Sequence, residues 1–210
     1  MRSTTFMTNA EPPTSGQTSP DDSTSSDKSS ALAPPTEPQI VSLLLRQNCG
    51  YGRKGTTMPH YTPDDWWECD LAYFTPSGYL TEYEVKISLQ DFKADARKCQ
   101  DRRVWTRTDG RNTRAGNVRY KYAAVADGQG PKHFWYCAPR GVIPLELVPD
   151  WAGLREFYWT DRYRNGSPVL HQRVLKEAPQ LKGRKYPQKV LDHCRGVAYY
   201  RFIEQQSRVF

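Results

Sequence analysis

Apolar and polar positions along the chain repeat with two different periods, and the changes of period mark out the elements. Over residues 37–46, Ile40, Leu43 and Leu44 recur at helical spacing, Leu45 widens the stripe and Pro38 suits a first turn, so a helix is expected there. Asn48, Gly50, Gly52 and Gly55 end it and open a loop expected to run through Pro59 and Pro63. Residues 66–74 and 79–87 are aromatic and β-branched runs separated by Pro76-Ser77-Gly78, the pattern of a hairpin. In the second run a period of two puts Glu82, Glu84 and Lys86 on one face and Tyr83, Val85 and Ile87 on the other.

Ser88 stands where a helix N-cap belongs, with Asp91 three residues on, and opens a helix expected over 89–103. Leu89, Phe92 and Ala96 line its inner face, while Lys93, Arg97 and Lys98 face outward or toward a ligand. Residues 102–119 carry Arg102, Arg103, Arg107, Arg111, Arg114 and Arg119 with two glycines and little apolar material, which reads as a mobile basic loop. Further strands are expected over 120–125 and 133–138, a short helix over 144–148, an edge strand over 155–159, and helices over 169–176 and 189–205. The order of helix, hairpin, helix and strands predicts an α/β fold: a central mixed sheet of four to five strands flanked by helices.

Composition changes this picture at the two ends. Residues 1–36 are rich in Ser, Thr and Pro without apolar periodicity, so they are expected to be a disordered tail. The tail holds Glu11, Asp21, Asp22 and Asp27 against Arg2 and Lys28, so within a total of +7 the remaining chain carries about +9. The catalytic domain is expected over 37–160, with a basic, partly helical extension over 161–210. A basic folded region favours a polyanion as partner, nucleic acid being the commonest, although such a surface also serves solubility alone. No apolar run follows Arg2 and none is long enough to span a bilayer, so no membrane partner and a cytoplasmic protein are expected.

Cys49, Cys69, Cys99, Cys137 and Cys194 are odd in number and scattered, which excludes a disulfide framework and a Cys-x-x-Cys zinc site. His60, His133, His171 and His193 show no ligand spacing, so a histidine metal site is disfavoured.

The pattern that carries chemistry is Asp70, Glu84 and Lys86. Metal-assisted cleavage of a phosphodiester needs carboxylates for a hard cation and an ammonium beside the attacking water or the developing charge. Asp70 on the first hairpin strand can lie opposite or diagonal to Glu84, and Glu84 and Lys86 project to one side. Alone, Glu-x-Lys on a strand is equally the pattern of a solvated sheet face. Ser88 and Asp91 read as structural caps, and Trp66, Trp67 and Trp105 as packing residues before base-stacking ones.

The segment from Glu68 to Arg97, with its Tyr-Glu-Val-Lys-Ile-Ser run followed by Asp91-Phe92, resembles the PD-(D/E)XK, or restriction-endonuclease-like, nuclease superfamily. With the stretch from His133 to Leu154 it is similar to the small MmcB-like branch of phage and bacteria, whose members are proposed DNA repair nucleases. Cys69 stands where the superfamily's named proline would precede the Asp. The resemblance implies Asp70 and Glu84 as metal ligands, the Val85 carbonyl as a further one, and Lys86 as the residue that orients water or stabilises the transition state. Glu37 is the acidic candidate from the first helix. The implied protein is a Mg2+-dependent nuclease, with Mn2+ as substitute, acting on DNA in repair or phage DNA processing in a bacterial or phage-infected cell. RNA is not excluded. Lys93, Arg97, Lys98, Arg102, Arg103, Arg107, Arg111 and Arg114 are the candidates for contact with the nucleic-acid backbone. The alternative is a non-catalytic DNA-binding or accessory protein on the same fold.

Overall fold

The computed structural model describes residues 32–49, 54–108, 111–164 and 167–207, with the backbone alone for 101–117, 161–164, 202 and 205–207. The tail expected over 1–36 falls outside the described residues as far as residue 31. Helix α1 spans Glu37–Asn48, with Gln39 Oε1 accepting the Thr36 N–H at 2.9 Å at its start. Its stripe is Ile40, Val41 and Leu44, all buried.

Six strands form one sheet. They are β1 (Thr56–Tyr61), β2 (Cys69–Phe74), β3 (Leu80–Val85), β6 (His133–Pro139), β7 (Gly153–Arg164) and β8 (Ser167–Lys176), in the spatial order β1-β2-β3-β6-β7-β8. The expected hairpin is β2–β3, antiparallel with Leu71 opposite Tyr83 and Phe74 opposite Leu80. Gly78 turns it with φ +88, and a Cβ there would meet the Tyr186 carbonyl oxygen at 2.4 Å. β3 runs parallel to β6 and β6 parallel to β7, so the middle of the sheet is covered on both faces. Every residue of β3 is accordingly buried.

The connection from β3 to β6 holds α2 (Leu89–Asp95), a separate antiparallel ribbon of β4 (Cys99–Thr108) and β5 (Arg111–Tyr120), and α3 (Lys121–Ala126). A 3-10 turn, Leu145–Leu147, follows β6 where a short helix was expected. Helix α4 (Gln188–Ser207) ends the described chain. One face of the sheet packs Phe74, Leu80 and Phe134 against Phe92 of α2, Ala124 and Val125 of α3, and Val190, Leu191 and Cys194 of α4. The other packs Leu71, Tyr83, Val85, Trp135 and Phe157 against α1.

Several expectations change. The sheet has six strands rather than four to five, because the loop expected through Pro59 contains β1 and the segment expected as a helix over 169–176 is a strand. An edge strand accommodates a proline that lacks an N–H. The helix expected over 89–103 stops at Asp95, and the basic loop expected over 102–119 is the β4–β5 ribbon, paired from Cys99–Tyr120 to Thr108–Arg111. Val104, Trp105, Thr106, Thr108, Thr113 and Val118 supply the strand-forming residues between its arginines. The strand expected over 120–125 is α3, where buried Lys121, Ala124 and Val125 stand at helical spacing. The helix expected over 169–176 is β8, half-buried except at Ser167, Arg173 and Val174, and β7 therefore lies inside the sheet rather than at its edge. Within 161–210, read as an extension, β8 completes the sheet and α4 contributes to the core.

No helix among the described residues is long and apolar enough to cross a membrane.

Candidate functional site

The face of β3 that carries Glu82, Glu84 and Lys86 is sealed, with these three side chains 0%, 1% and 3% exposed. They join Asp95 of α2, Lys98 just beyond it and Lys121 of α3 in a network of three carboxylates and three ammoniums. Glu84 Oε1 accepts from Lys86 Nζ at 2.8 Å and from Lys98 Nζ, and Oε2 accepts from Lys121 Nζ at 2.8 Å. Lys121 Nζ also lies 2.8 Å from Glu82 Oε1, and Glu82 Oε2 accepts from the Trp66 indole at 2.7 Å. Asp95 Oδ1 is 2.8 Å from Lys98 and 3.3 Å from Lys86, and Oδ2 accepts from the Tyr136 hydroxyl at 2.9 Å.

Local structure explains how these groups converge. Ser88 Oγ caps α2 through the Asp91 N–H at 3.1 Å, as expected. Phe92 packs edge-on against Tyr136, ring centroids 4.9 Å apart, which sets Asp95 one turn later beside the Tyr136 hydroxyl. Lys98 precedes β4 and Lys121 follows β5, and the Lys121 N–H donates to the Lys98 carbonyl at 2.9 Å. The two ends of the arginine-bearing ribbon thus deliver two lysines to one glutamate.

Burial pushes the Glu84 carboxyl up, but Lys121, Lys86 and Lys98 outweigh it and hold the group well below the ordinary carboxylate range. Burial alone would lower the Lys121 ammonium, yet Glu82, Glu84 and Asp95 raise it well above its usual value. Lys98 is raised for the same reason, by Glu84 and Asp95 against burial. For Glu82, burial outweighs Lys121 and the carboxyl is raised.

Asp70 is placed differently. Pairing of β1 with β2 continues to Tyr61–Cys69, whereas pairing of β2 with β3 stops at Leu71–Tyr83. Beyond that point Asp70 Oδ2 takes the Val85 N–H at 2.6 Å, so a side chain replaces the ladder where the strands part. Alternation slips in both neighbours here. Cys69 and Ala72 pack in one cluster with Leu71 in the other, and Met58 and Tyr61 share a cluster across His60, whose φ is +46. The slips bring His60 and Asp70 together with Glu37 of α1, each offering a ligand atom within 4.8 Å of the others. Arg201 of α4 holds this bend by donating to the Pro59 and His60 carbonyls at 2.7 and 3.1 Å. Burial, then the Glu84 charge, pushes the Asp70 carboxyl up to about 7, while the Val85 N–H and Lys86 act in the opposite direction.

Asp70, Glu84 and Lys86 are therefore neighbours around the end of β3, but Asp70 groups with Glu37 and His60 while Glu84 groups with the lysines. Val85 meets Asp70 through its N–H. His60, Asp95 and Lys121 were missed. The histidine site disfavoured on spacing is replaced by one imidazole brought across β1 and β2, and the signal for Lys121 was its place in an apolar helical stripe. Among the backbone-contact candidates, Lys93 and Arg97 are exposed, and Lys98 is half-buried on Glu84. Arg102, Arg103 and Arg107 lie on β4, and Arg111 and Arg114 on β5. Trp66 and Trp67 are buried packing residues.

Two carboxylates and an imidazole suit a divalent cation, Mn2+ accepting the nitrogen more readily than Mg2+, which prefers oxygen and water. No protein-family model matches the chain, and no curated protein matches it. Among solved structures it is similar to the SPO1766 protein of unknown function from Silicibacter pomeroyi, at 18% identity and a TM-score of 0.45, over 78% of this chain and 83% of that one.

Proposed function

We propose that the protein is a divalent-metal-dependent nuclease with a restriction-endonuclease-like fold, hydrolysing DNA phosphodiester bonds. The observation that carries this reading is the grouping of Asp70 with Glu37 and His60 where β2 and β3 part, close enough to Glu84 and Lys86 to feel their charges. Asp70, Glu37 and His60 would hold the cation, which supplies Lewis acidity and an activated water.

The chain's own groups do the rest. Lys86, anchored by Glu84 and Asp95 in the sealed network, keeps a fixed positive charge beside Asp70 and acts on the site through its field. Glu84 would be a ligand by the family resemblance, but with an ammonium on each oxygen it acts here by positioning Lys86, Lys98 and Lys121. The arginines of β4 and β5 bind the nucleic-acid backbone, and repair or processing of DNA is the accompanying role. The saturation of Glu84 by lysines is what favours the rival, a protein that binds DNA without cutting it.

Purified full-length protein incubated with plasmid, single-stranded DNA and RNA separates the two. Nicking that requires Mg2+ or Mn2+ and stops with a chelator is expected, and DNA binding without cleavage under any of these metals would support the rival.

A further inference from the structure

On the α1 face of the sheet, away from the lysine network, a polar cavity of about 260 Å3 is lined by Gln47 and Asn48 of α1, Tyr83 of β3, Arg155 of β7 and Gln172 of β8. At ~30 Å3 per water this is room for roughly eight or nine waters, or for one small polar ligand. No acidic side chain lines it. The Arg155 guanidinium lies over two buried rings, 4.1 Å from the Trp135 centroid and 5.4 Å from that of Tyr83. Its Nε–H is buried and meets no acceptor among the described residues.

A half-buried guanidinium without a carboxylate in its own cavity is costly unless something accepts its hydrogen bonds. The aromatic stack fixes its plane in advance, so little freedom is lost when an oxyanion docks on it. The neighbouring carboxamides add both kinds of group. Gln172 Nε2 donates to Gln47 Oε1 at 2.9 Å, which leaves the buried Gln172 Oε1 without a donor. At the end of α1 the carbonyls of Leu44 and Leu45 are already used. The first accepts from Asn48 Nδ2 and the second from the Cys49 N–H, each at 2.8 Å.

We propose that this cavity binds a phosphate monoester or inorganic phosphate, with the Arg155 guanidinium taking the anionic oxygens and the Gln172 carboxamide, whose Oε1 is buried in the cavity wall, turning to accept from the protonated one. The match is one of chemistry: a hydrogen phosphate presents acceptors and one donor together, as the cavity requires. Binding here is separate from the cleavage chemistry and does not depend on it.

Isothermal titration of the full chain with inorganic phosphate tests this, read also through the fluorescence of the tryptophans, of which Trp135 stacks on Arg155. Saturable binding of one phosphate per chain is expected, weakened at least ten-fold in Arg155→Met, whose stem keeps its contact with Trp135, and weakened in Gln172→Leu. The second variant leaves the arginine stack untouched and serves if the first does not fold. Competition by a 5′-phosphorylated oligonucleotide but not by its unphosphorylated twin identifies a strand end as the source, and competition by a nucleoside 5′-monophosphate alone identifies a free one. Absence of saturable phosphate binding, or equal binding by wild type and both variants, overturns the proposal.

Discussion

The two faces of β3 treat charge in opposite ways. On one, the buried Glu82, Glu84 and Asp95 carboxylates meet the buried Lys86 and Lys121 and the half-buried Lys98, and Glu84 meets a lysine with each oxygen. On the other, Tyr83 and Val85 pack against α1, and Arg155 lies on aromatic rings with its Nε–H unanswered among the described residues. The first arrangement is costly to break because each removed partner strands a buried charge. The second loses little when its cation is removed. A sealed, balanced network suits positioning, and a poised, unsatisfied group suits binding.

The largest effect should come from breaking the balance at its deepest point. Lys121→Met leaves Glu82 and Glu84 short of their shared ammonium, and destabilisation of about 3–5 kcal/mol is expected by urea unfolding. Next in size is a pH effect at the junction of the two faces. Asp70 titrates at about 7 in the folded chain against an ordinary value of 3.8, so the folded state binds the proton more tightly than the unfolded one. Its contribution is complete below pH 4 and is lost as pH rises through 7. Without added metal, stability should fall across that window in the wild type, and the Asp70→Asn variant should lack this component.

Lys98→Met probes the exposed margin of the network. Its side chain is 40% exposed, so solvent screens the loss and about 1 kcal/mol is expected from the same unfolding measurement. The smallest change belongs to the opposite face: Arg155→Met should alter stability by no more than about 0.5 kcal/mol, since it strands no paired charge and the ring contacts it loses are offset by removing a buried Nε–H that has no acceptor among the described residues. Comparable losses for Lys121→Met and Arg155→Met would erase the contrast between the faces.

Legibility in the sequence followed the range of the interactions. The β2–β3 hairpin, the Ser88 cap and the side-by-side placement of Glu84 and Lys86 were readable because they depend on neighbours two or three residues apart. The β4–β5 ribbon was obscured by its arginines, which read as a solvated loop, and α3 by Tyr120 and Tyr122, which read as strand. Lys121 was invisible because a lysine is seldom wholly buried, and only two glutamates on another element make it so. His60 joins Asp70 through coupled slips in two strands and Glu37 through helix docking, and neither has a local signature. The pairing of Asp70 with Glu84 was inferred from hairpin register, and that register ends one residue before Asp70.

The central claim is that Asp70 holds the cation for phosphodiester cleavage, and a single-turnover comparison of wild type with Asp70→Asn on plasmid DNA in Mn2+ tests it most directly. Asparagine keeps an oxygen for the Val85 N–H, so the fold should survive, which circular dichroism checks. A loss of cleavage rate on the order of 10²-fold or more is the predicted result. Equal rates for the two proteins, or a wild type that binds plasmid and never cuts it, would contradict the account.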